Sequence, residues 1–445
     1  MSIPDAGERR SDTGDAAPLV DRRARRSAII GTALGNLLEW YDFAVYAALS
    51  SILGPLFFPA TSPAASLLAS LSVFAVGYVA RPIGAILFGW VSDTRGRRAA
   101  LVLVIVLMGV STVGMGFLPT YAAVGVVAPI LLVIARALQG ISIGGEFATA
   151  TTYLVELAPP RRRGAYGAII FSMAGLGFAL GLGVVVLLNA VVTPRGVSDG
   201  WWRAAFLLGV PLLLVGRYLR RRAMETPAFH QAKAAADDLA PRDTAPDSRR
   251  SRVARVVQVI GLTMAVGVGS YTLLGYAVPY LLVIAKQPPS VAYPSALIAT
   301  VVGAGFIQLG GHLADRFGRK PVMLAAVVGI AVLAMPYYLL MSAGGFWAAL
   351  AGQLLFWLPV GVALGILPTL LAEMFPARTR TTAMGVPYAL GVALFSGTAP
   401  LISNLLVTST GNVLAPAWYL IGFGVITAGV VVSLRETAWA ELRTH

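Results

Sequence analysis

The sequence predicts an all-α polytopic membrane protein of twelve transmembrane helices, arranged as two six-helix bundles. Of its 445 residues, 57% are hydrophobic and only 12% are charged, about half the charged content of a typical soluble domain. Apolar runs of roughly twenty residues, the length needed to cross a bilayer, occur twelve times. Two loop sequences each occur twice at nearly the same offset, which indicates that the second bundle repeats the first.

The apolar runs fall into two groups of six on either side of a polar segment that is rich in Ala, Asp, Pro and Arg, as is typical of a flexible linker. The first 26 residues lack an apolar core before a cleavage site, so we expect a cytoplasmic arm rather than a signal peptide. The runs, numbered spans 1 to 12, are centred near residues 43, 78, 108, 143, 176, 211, 270, 302, 331, 358, 395 and 425. The predicted organisation is an arm (1–27), a first bundle (28–219), a linker (220–255), a second bundle (256–434) and a tail (435–445).

The basic residues are distributed unevenly between the two sides of the predicted membrane. The net charge is +14, and most of the 34 Lys and Arg lie in the arm, the linker, the tail and the loops after spans 2, 4, 8 and 10, whereas Arg195 and Lys286 lie on the opposite side. Cytoplasmic segments carry such an excess of basic residues. We therefore expect both termini in the cytoplasm and the protein in the cell membrane, with no role in nucleic-acid binding. The absence of cysteine excludes disulfides and thiolate metal sites.

Two pairs of predicted cytoplasmic loops are close copies of each other. "GWVSDTRGRR" begins at Gly89 and "GHLADRFGRK" at Gly311; "ELAPPRRR" begins at Glu156 and "EMFPARTR" at Glu373. The first pair differs where Thr94 replaces the arginine of the second copy. Two loop pairs in register indicate parallel repeats of six helices each.

These motifs resemble the major facilitator superfamily over nearly the whole chain. Within it, "EWYDF" in span 1, "RPIGAILFGWVSD" in span 2, "RALQGISIGGEF" in span 4, "WWRAAFLLG" at span 6 and "METPAF" after it are similar to the metabolite:H+ symporter family. The resemblance implies transport by alternating access, with charged loops that pair when one end of the protein closes. The alternative for these charges is a topology signal alone. The gating candidates are Asp93, Arg97, Glu156, Arg163, Asp315, Arg319, Glu373 and Arg380.

Five ionisable residues lie at membrane depth in the first half: Glu39 and Asp42 in span 1, Arg81 in span 2, and Arg136 and Glu146 in span 4. At about 1.5 Å per residue from the charged ends of their spans, Glu39 and Arg81 both lie roughly 18 Å deep and can meet near mid-membrane. Ionisable groups at this depth are costly and usually functional.

Three acids and two bases leave one negative charge in excess, and an excess buried carboxylate favours its protonated form. The cluster therefore predicts a proton site, with Arg81 as the charge partner of the acids. A structural ion network without a role in turnover is the alternative. The proton-coupling candidates are Glu39, Asp42, Arg81 and Glu146.

The second half carries no charged residue well inside its spans but offers aromatic and amide side chains. Polar groups in membrane helices tend to face the interior of the bundle, which favours Tyr271, Tyr276 and Gln353 as substrate contacts. Arg136 is the candidate for a substrate carboxylate because a guanidinium binds carboxylates bidentately. The substrate-binding candidates are Arg136, Tyr271, Tyr276 and Gln353.

These observations predict a proton-coupled symporter that imports a small carboxylate-bearing metabolite, an organic acid. The alternative is a proline- or betaine-type osmolyte symporter, disfavoured by the short tail, and a non-transporting membrane sensor is a further possibility. No enzyme is expected, because the three histidines, His230, His312 and His445, form no catalytic or metal constellation. We expect no cofactor, a monomer, and as partners the substrate, protons and the lipid bilayer.

Overall fold

The structure is a computed structural model, and the part of the chain that it describes is helical without β-strands. The predicted arm up to residue 21 and the linker from 219 to 248 lie outside the described residues. The described residues are 22–59, 63–192, 196–211, 214, 218, 249–377, 379–440 and 442.

The chain forms helices because a bilayer offers no hydrogen-bond partners, so a spanning segment must satisfy its backbone internally. In the first half these are α1 (Arg22–Phe57), α2 (Pro63–Val79), α3 (Arg81–Arg95), α4 (Arg97–Gly116), α5 (Val127–Leu157), α6 (Arg163–Val191) and α7 (Trp202–Leu207). In the second half they are α8 (Arg249–Tyr271), α9 (Pro289–Phe317), α10 (Arg319–Ala343), α11 (Phe346–Glu373), α12 (Arg380–Gly391), α13 (Ala399–Thr410) and α14 (Ala415–Ser433).

Nine helical segments of the described chain are long and apolar enough to cross a membrane. The remaining three predicted spans are α1, which carries Glu39 and Asp42; the α2–α3 pair, which is broken at Ala80; and the span that contains α7, which is described only in part. The described helices overlap each of the twelve predicted spans, the sixth only in part. Two boundaries differ: α1 begins at Arg22, within the predicted arm, and α8 begins at Arg249, within the predicted linker.

Two spans of the second half contain π-helical turns. One follows α8, at Thr272–Tyr276 and again at Tyr280–Ile284, and another lies between α12 and α13, at Val392–Ser396. A π turn inserts an extra residue and often marks a functional site. These turns border the centre of the molecule, as the cavities below show.

Several helices pack across the interface between the two halves. Helix α3 packs against α12, and α6 packs against α9 and α11. The repeated loops lie at one end of this interface, which we call the arginine-rich end. There Gly96 and Gly318 have φ of +102° and +99°, a conformation that glycine adopts without strain. These two glycines separate α3 from α4 and α9 from α10, which explains their place in the repeated motif.

Candidate functional site

One cavity between the halves, here called the aromatic cavity, lies near the π turns of the second half. Its aromatic walls come from both halves: Trp40 and Phe171 from the first, and Tyr271, Trp357 and Tyr388 from the second. The π turns contribute Leu274, Val392 and Ser396. No charged side chain is among the lining residues of this cavity in the described chain.

A neighbouring cavity, here called the arginine cavity, shares Trp40, Phe171 and Tyr388 with the first. Arg81 and Asn36 line it. Arg81 is the only charged residue among the described residues that line either cavity. Together the two cavities form a central site with one cationic chamber and one aromatic chamber.

Arg81 is held in place by aromatic rings of both halves. Its guanidinium carbon lies 4.2 Å from the centre of the Tyr78 ring and 5.3 Å from that of Phe43, within the range of cation–π attraction. Its Nη1 donates to the Tyr271 hydroxyl at 3.3 Å. Gly144 of α5 touches the Arg81 carbonyl, so a side chain there would push the two helices apart. Arg81 is buried, yet it faces the arginine cavity.

Asp42 and Arg136 form a separate charged group behind the Phe43 ring. Both are buried, and their side chains interact electrostatically. Neither carboxylate oxygen of Asp42 has a hydrogen bond of normal geometry within the described part of the chain. The Arg136 guanidinium lies 3.6 Å from the centre of the Tyr46 ring and donates to the Gln139 side chain. The described contacts thus bring Asp42 to Arg136 rather than to Arg81.

The other two predicted proton-coupling acids are placed less completely. Glu146 is buried on α5. Glu39 lies on α1 one turn before Asp42, but its side chain is outside the described part of the structure. The predicted pairing of Glu39 with Arg81 therefore stays a prediction.

The predicted substrate residues are only partly brought together. Tyr271 lines the aromatic cavity, whereas Arg136, Tyr276 and Gln353 line neither cavity. Tyr276 packs on Tyr280 with ring centres 5.8 Å apart. Gln353 donates to the Ser295 hydroxyl at 3.1 Å and to its own helix. The sequence did not predict the direction in which the Arg136, Tyr276 and Gln353 side chains point.

Sequence reasoning gave little weight to Trp40, Tyr388 and Trp357, which form most of the aromatic wall. Trp40 lies directly after Glu39 in the "EWYDF" motif. That motif was the available signal, because it places two aromatic residues, Trp40 and Tyr41, between its two acids.

At the arginine-rich end, the repeated aspartates each hold the start of a helix in the opposite half. The Asp93 carboxylate accepts from the Thr382 backbone N–H at 3.1 Å and its hydroxyl at 2.6 Å, near the start of α12. The Asp315 carboxylate accepts from the backbone N–H groups of Gly164 and Ala165, both at 2.8 Å, at the start of α6. A carboxylate at a helix N-terminus is stabilised by the helix dipole. The contacts are related by the internal repeat.

Other gating candidates form salt bridges at the arginine-rich end. Arg380 and Glu156, from opposite halves, form a salt bridge of 2.9 Å with both side chains fully buried. Arg319 bridges Asp315 at 2.9 Å and Glu373 at 3.2 Å within the second half. Of the remaining two, the Arg97 side chain lies outside the described part of the structure, and Arg163 is described next.

The tail after α14 covers this end, which the sequence did not predict. Arg163 of the first half donates to the Ala440 carbonyl at 2.7 Å. The Trp439 indole donates to the Asp315 carbonyl at 3.2 Å, and the Thr437 hydroxyl to Glu373 at 2.6 Å. Residues of the tail thus contact both halves.

Glu436 anchors the start of this tail. Its carboxylate accepts from the backbone N–H of Arg319 at 2.9 Å and of Lys320 at 3.1 Å, at the start of α10. Partial burial would raise the pKa of Glu436, but these bonds and those from Thr437 and Ala438 lower it overall. The anchor therefore remains charged at neutral pH.

Comparison with known families decides the class of protein. The model of the Major Facilitator Superfamily matches residues 27–386. The chain belongs to the major facilitator superfamily. As a member of this superfamily it is a multi-pass membrane transporter and not an enzyme.

The superfamily relatives with curated descriptions include the proline/betaine transporter of Escherichia coli K12, which is 34% identical over 438 residues, 96% of this chain and 86% of that protein. The ectoine/proline transporter of Corynebacterium glutamicum is also 34% identical, over 97% of this chain and 88% of that protein.

Solved superfamily structures share the fold. The proton:xylose symporter XylE matches with a TM-score of 0.79 at 20% identity, over 94% of this chain and 98% of that chain. The human organic anion transporter MFSD10 matches with a TM-score of 0.63 at 20% identity, over 92% of this chain and 99% of that chain. These likenesses show the two-bundle fold.

Proposed function

We propose that this transporter carries a small zwitterion of the proline or betaine type together with protons, by alternating access. The observation that carries the proposal is the central site, in which Arg81 is the only charged side chain among the described lining residues. One guanidinium suits one carboxylate. The curated relatives named for proline, betaine and ectoine support the same substrate class.

This proposal departs from the organic-acid reading of the sequence. A dicarboxylate or tricarboxylate would leave a second carboxylate in the cavities without a cation, and burying an unpaired charge is costly. The second arginine on which that reading relied, Arg136, lines neither cavity. The relatives also favour the osmolyte alternative.

Alternating access is supported by the contacts at the arginine-rich end. There the two halves are joined by the Glu156–Arg380 salt bridge and by the two aspartates at helix N-termini. Opening this end must break these contacts. An alternating transporter needs two states within a few kcal/mol of each other, so the contacts must be compensated when the end opens.

Proton coupling is assigned to the acids of α1, with Asp42 better defined than Glu39. Asp42 is buried, and neither of its carboxylate oxygens makes a hydrogen bond of normal geometry among the described residues, with the Thr112 hydroxyl as the neighbouring donor. Its carboxylate is therefore poorly solvated. A carboxylate in such surroundings takes up and releases a proton when a nearby charge moves. The monomeric state remains a prediction.

Uptake into liposomes tests this function. The purified protein is supplied with proline, glycine betaine, ectoine, succinate, citrate and shikimate under an imposed inward proton gradient. We expect accumulation of the zwitterions and its loss on addition of a protonophore. Accumulation of succinate or citrate instead of the zwitterions would contradict the substrate class, and uptake unaffected by the protonophore would contradict coupling.

We expect Asp315→Asn to lower the initial rate of transport more than Asp93→Asn, by at least about twofold at equal expression. Asp315 holds two backbone N–H groups of α6 and pairs with Arg319, and charged acceptors make the stronger hydrogen bonds. In the first copy the residue after Asp93, Thr94, bonds only to its own helix at the Trp90 carbonyl. Initial rates in liposomes, with substrate affinity as the control, check this. An equal or reversed ranking would show that Thr94 does not weaken the first gate.

The predicted orientation can be tested directly because the chain contains no cysteine. Arg161 at the arginine-rich end and Asn412 at the other end are both exposed. We expect a membrane-impermeant maleimide to label Asn412→Cys in intact cells and Arg161→Cys only after permeabilisation. Labelling of Arg161→Cys in intact cells would reverse the proposed topology.

A further inference from the structure

The aromatic cavity lacks any carboxylate that could balance a bound cation. Its lining contains Trp40, Phe171, Tyr271, Trp357 and Tyr388 but, among the described residues, no Asp or Glu. A zwitterion held at Arg81 by its carboxylate must place its positive group somewhere else within the site. The aromatic cavity is the adjoining space.

Trp40 and Tyr271 lie at the boundary between the arginine cavity and the aromatic cavity. Trp40 lines both cavities, and its ring centre lies 5.9 Å from the Arg81 guanidinium carbon and 6.3 Å from the Tyr271 ring. The Tyr271 hydroxyl accepts a hydrogen bond from Arg81 while its ring lines the aromatic cavity. One methylene separates the charges of an α-amino acid zwitterion, so a ligand at this boundary meets the guanidinium and the rings at once.

Three serine and threonine hydroxyls are among the lining residues of the aromatic cavity, those of Thr263, Ser270 and Ser396. Thr263 and Ser270 donate to carbonyls of their own helix at 2.7 and 2.9 Å, and the Ser396 hydroxyl has no hydrogen-bond partner among the described residues. A primary ammonium carries three N–H donors and loses hydrogen bonds to water when it enters such a space. A quaternary ammonium carries none, and its charge is attracted to the faces of aromatic rings.

We propose that the aromatic cavity selects a fully N-substituted ammonium group, recognised by the Trp40, Tyr271 and Tyr388 rings, on a zwitterion whose carboxylate is bound by Arg81. The inference rests on the proposed function and specifies its substrate class. It assigns Trp40 as a specificity-determining residue.

The test measures binding to the purified full-length protein in nanodiscs by isothermal titration calorimetry. The ligands are glycine, N-methylglycine, N,N-dimethylglycine and glycine betaine, with 3,3-dimethylbutanoate as a probe that has the shape of betaine but no positive charge. We expect affinity to rise with each methyl group, and betaine to bind at least about tenfold more tightly than 3,3-dimethylbutanoate.

Two variants of Trp40 distinguish the effect of an aromatic face from the effect of side-chain volume. Trp40→Leu is expected to remove most of the preference of betaine over 3,3-dimethylbutanoate, whereas Trp40→Phe retains most of it because an aromatic face remains. The matched control is Trp347→Leu, since Trp347 is 78% exposed and distant from the lining; it should bind as the wild type does. If Trp40→Leu does not fold, the binding affinities of the wild-type protein for the methylated glycine series still test the proposed selection.

Failure of the inference is distinguishable from failure of the proposed function. If betaine is taken up but affinity is flat along the methyl series, or equal for 3,3-dimethylbutanoate, the aromatic selection is wrong and zwitterion transport stands. If betaine neither binds nor is taken up, both are wrong.

Discussion

Replacing Arg81 with glutamine is expected to weaken glycine betaine binding by at least about a hundredfold and to abolish uptake. Removing one member of a buried charge pair costs about 3–5 kcal/mol, and each 1.4 kcal/mol is a tenfold change in affinity. Arg81 lines the arginine cavity, and the described lining offers no other cation to replace it. Calorimetry and uptake on the same preparation measure both effects.

The matched control for this loss is Arg136, the arginine that the sequence favoured for the substrate. It is equally buried but lies against the Tyr46 ring and near Asp42, away from both cavities. Arg136→Lys keeps its charge and should leave betaine affinity within about threefold, whereas Arg81→Lys should lose bidentate binding. If Arg136→Lys loses affinity and Arg81→Lys does not, the carboxylate site belongs to Arg136.

Asp42→Asn is expected to abolish accumulation of substrate against its gradient while exchange of internal for external substrate continues. The amide cannot carry a proton across the membrane, and exchange does not require proton release. Glu39→Gln should behave in the same way if both acids of α1 couple protons. Accumulation and exchange are measured in the same vesicles, so a folding defect, which lowers both, is separated from uncoupling.

The control for Asp42→Asn is Asp199→Asn, because Asp199 is exposed in the π-helical turn Val197–Trp201 directly before α7. This variant should accumulate substrate normally. Normal accumulation by both Asp42→Asn and Glu39→Gln would show that the acids of α1 are structural, as the alternative interpretation of the buried network holds.

The sequence predicted the architecture because bilayer thickness and backbone hydrogen bonding leave few solutions. Span lengths, the internal repeat and the depth of Arg81 all follow from helical rise and charge position. The salt bridge between Glu156 and Arg380 was also predictable, because the repeated loops place both residues at the same end of the protein.

Rotation about each helix axis was harder to predict. A helix in a bundle is apolar on its lipid face and on much of its buried face, so periodicity does not show which way Gln353 or Arg136 points. Gln353 binds Ser295 instead of facing a cavity, and Arg136 stacks on Tyr46. The wall of the aromatic cavity depends on Trp40 meeting Tyr271 across the halves, with ring centres 6.3 Å apart, and no local sequence pattern encodes that contact.

The tail shows a second limit. Trp439 and Ala440 contact Asp315 and Arg163 through a backbone carbonyl in each pair. Every residue type has a backbone carbonyl, so a contact to a main-chain acceptor cannot be recognised from the sequence. A polar tail that makes these contacts therefore has the same kind of sequence as one that does not.

Simultaneous measurement of substrate and proton movement tests proton-coupled zwitterion transport most directly. Liposomes that contain the protein and a trapped pH indicator, with the membrane potential clamped by potassium and valinomycin, receive an inward gradient of labelled glycine betaine and no pH gradient. We predict that betaine entry acidifies the lumen, and that Asp42→Asn removes this acidification. Betaine entry by the wild-type protein without acidification would contradict the account.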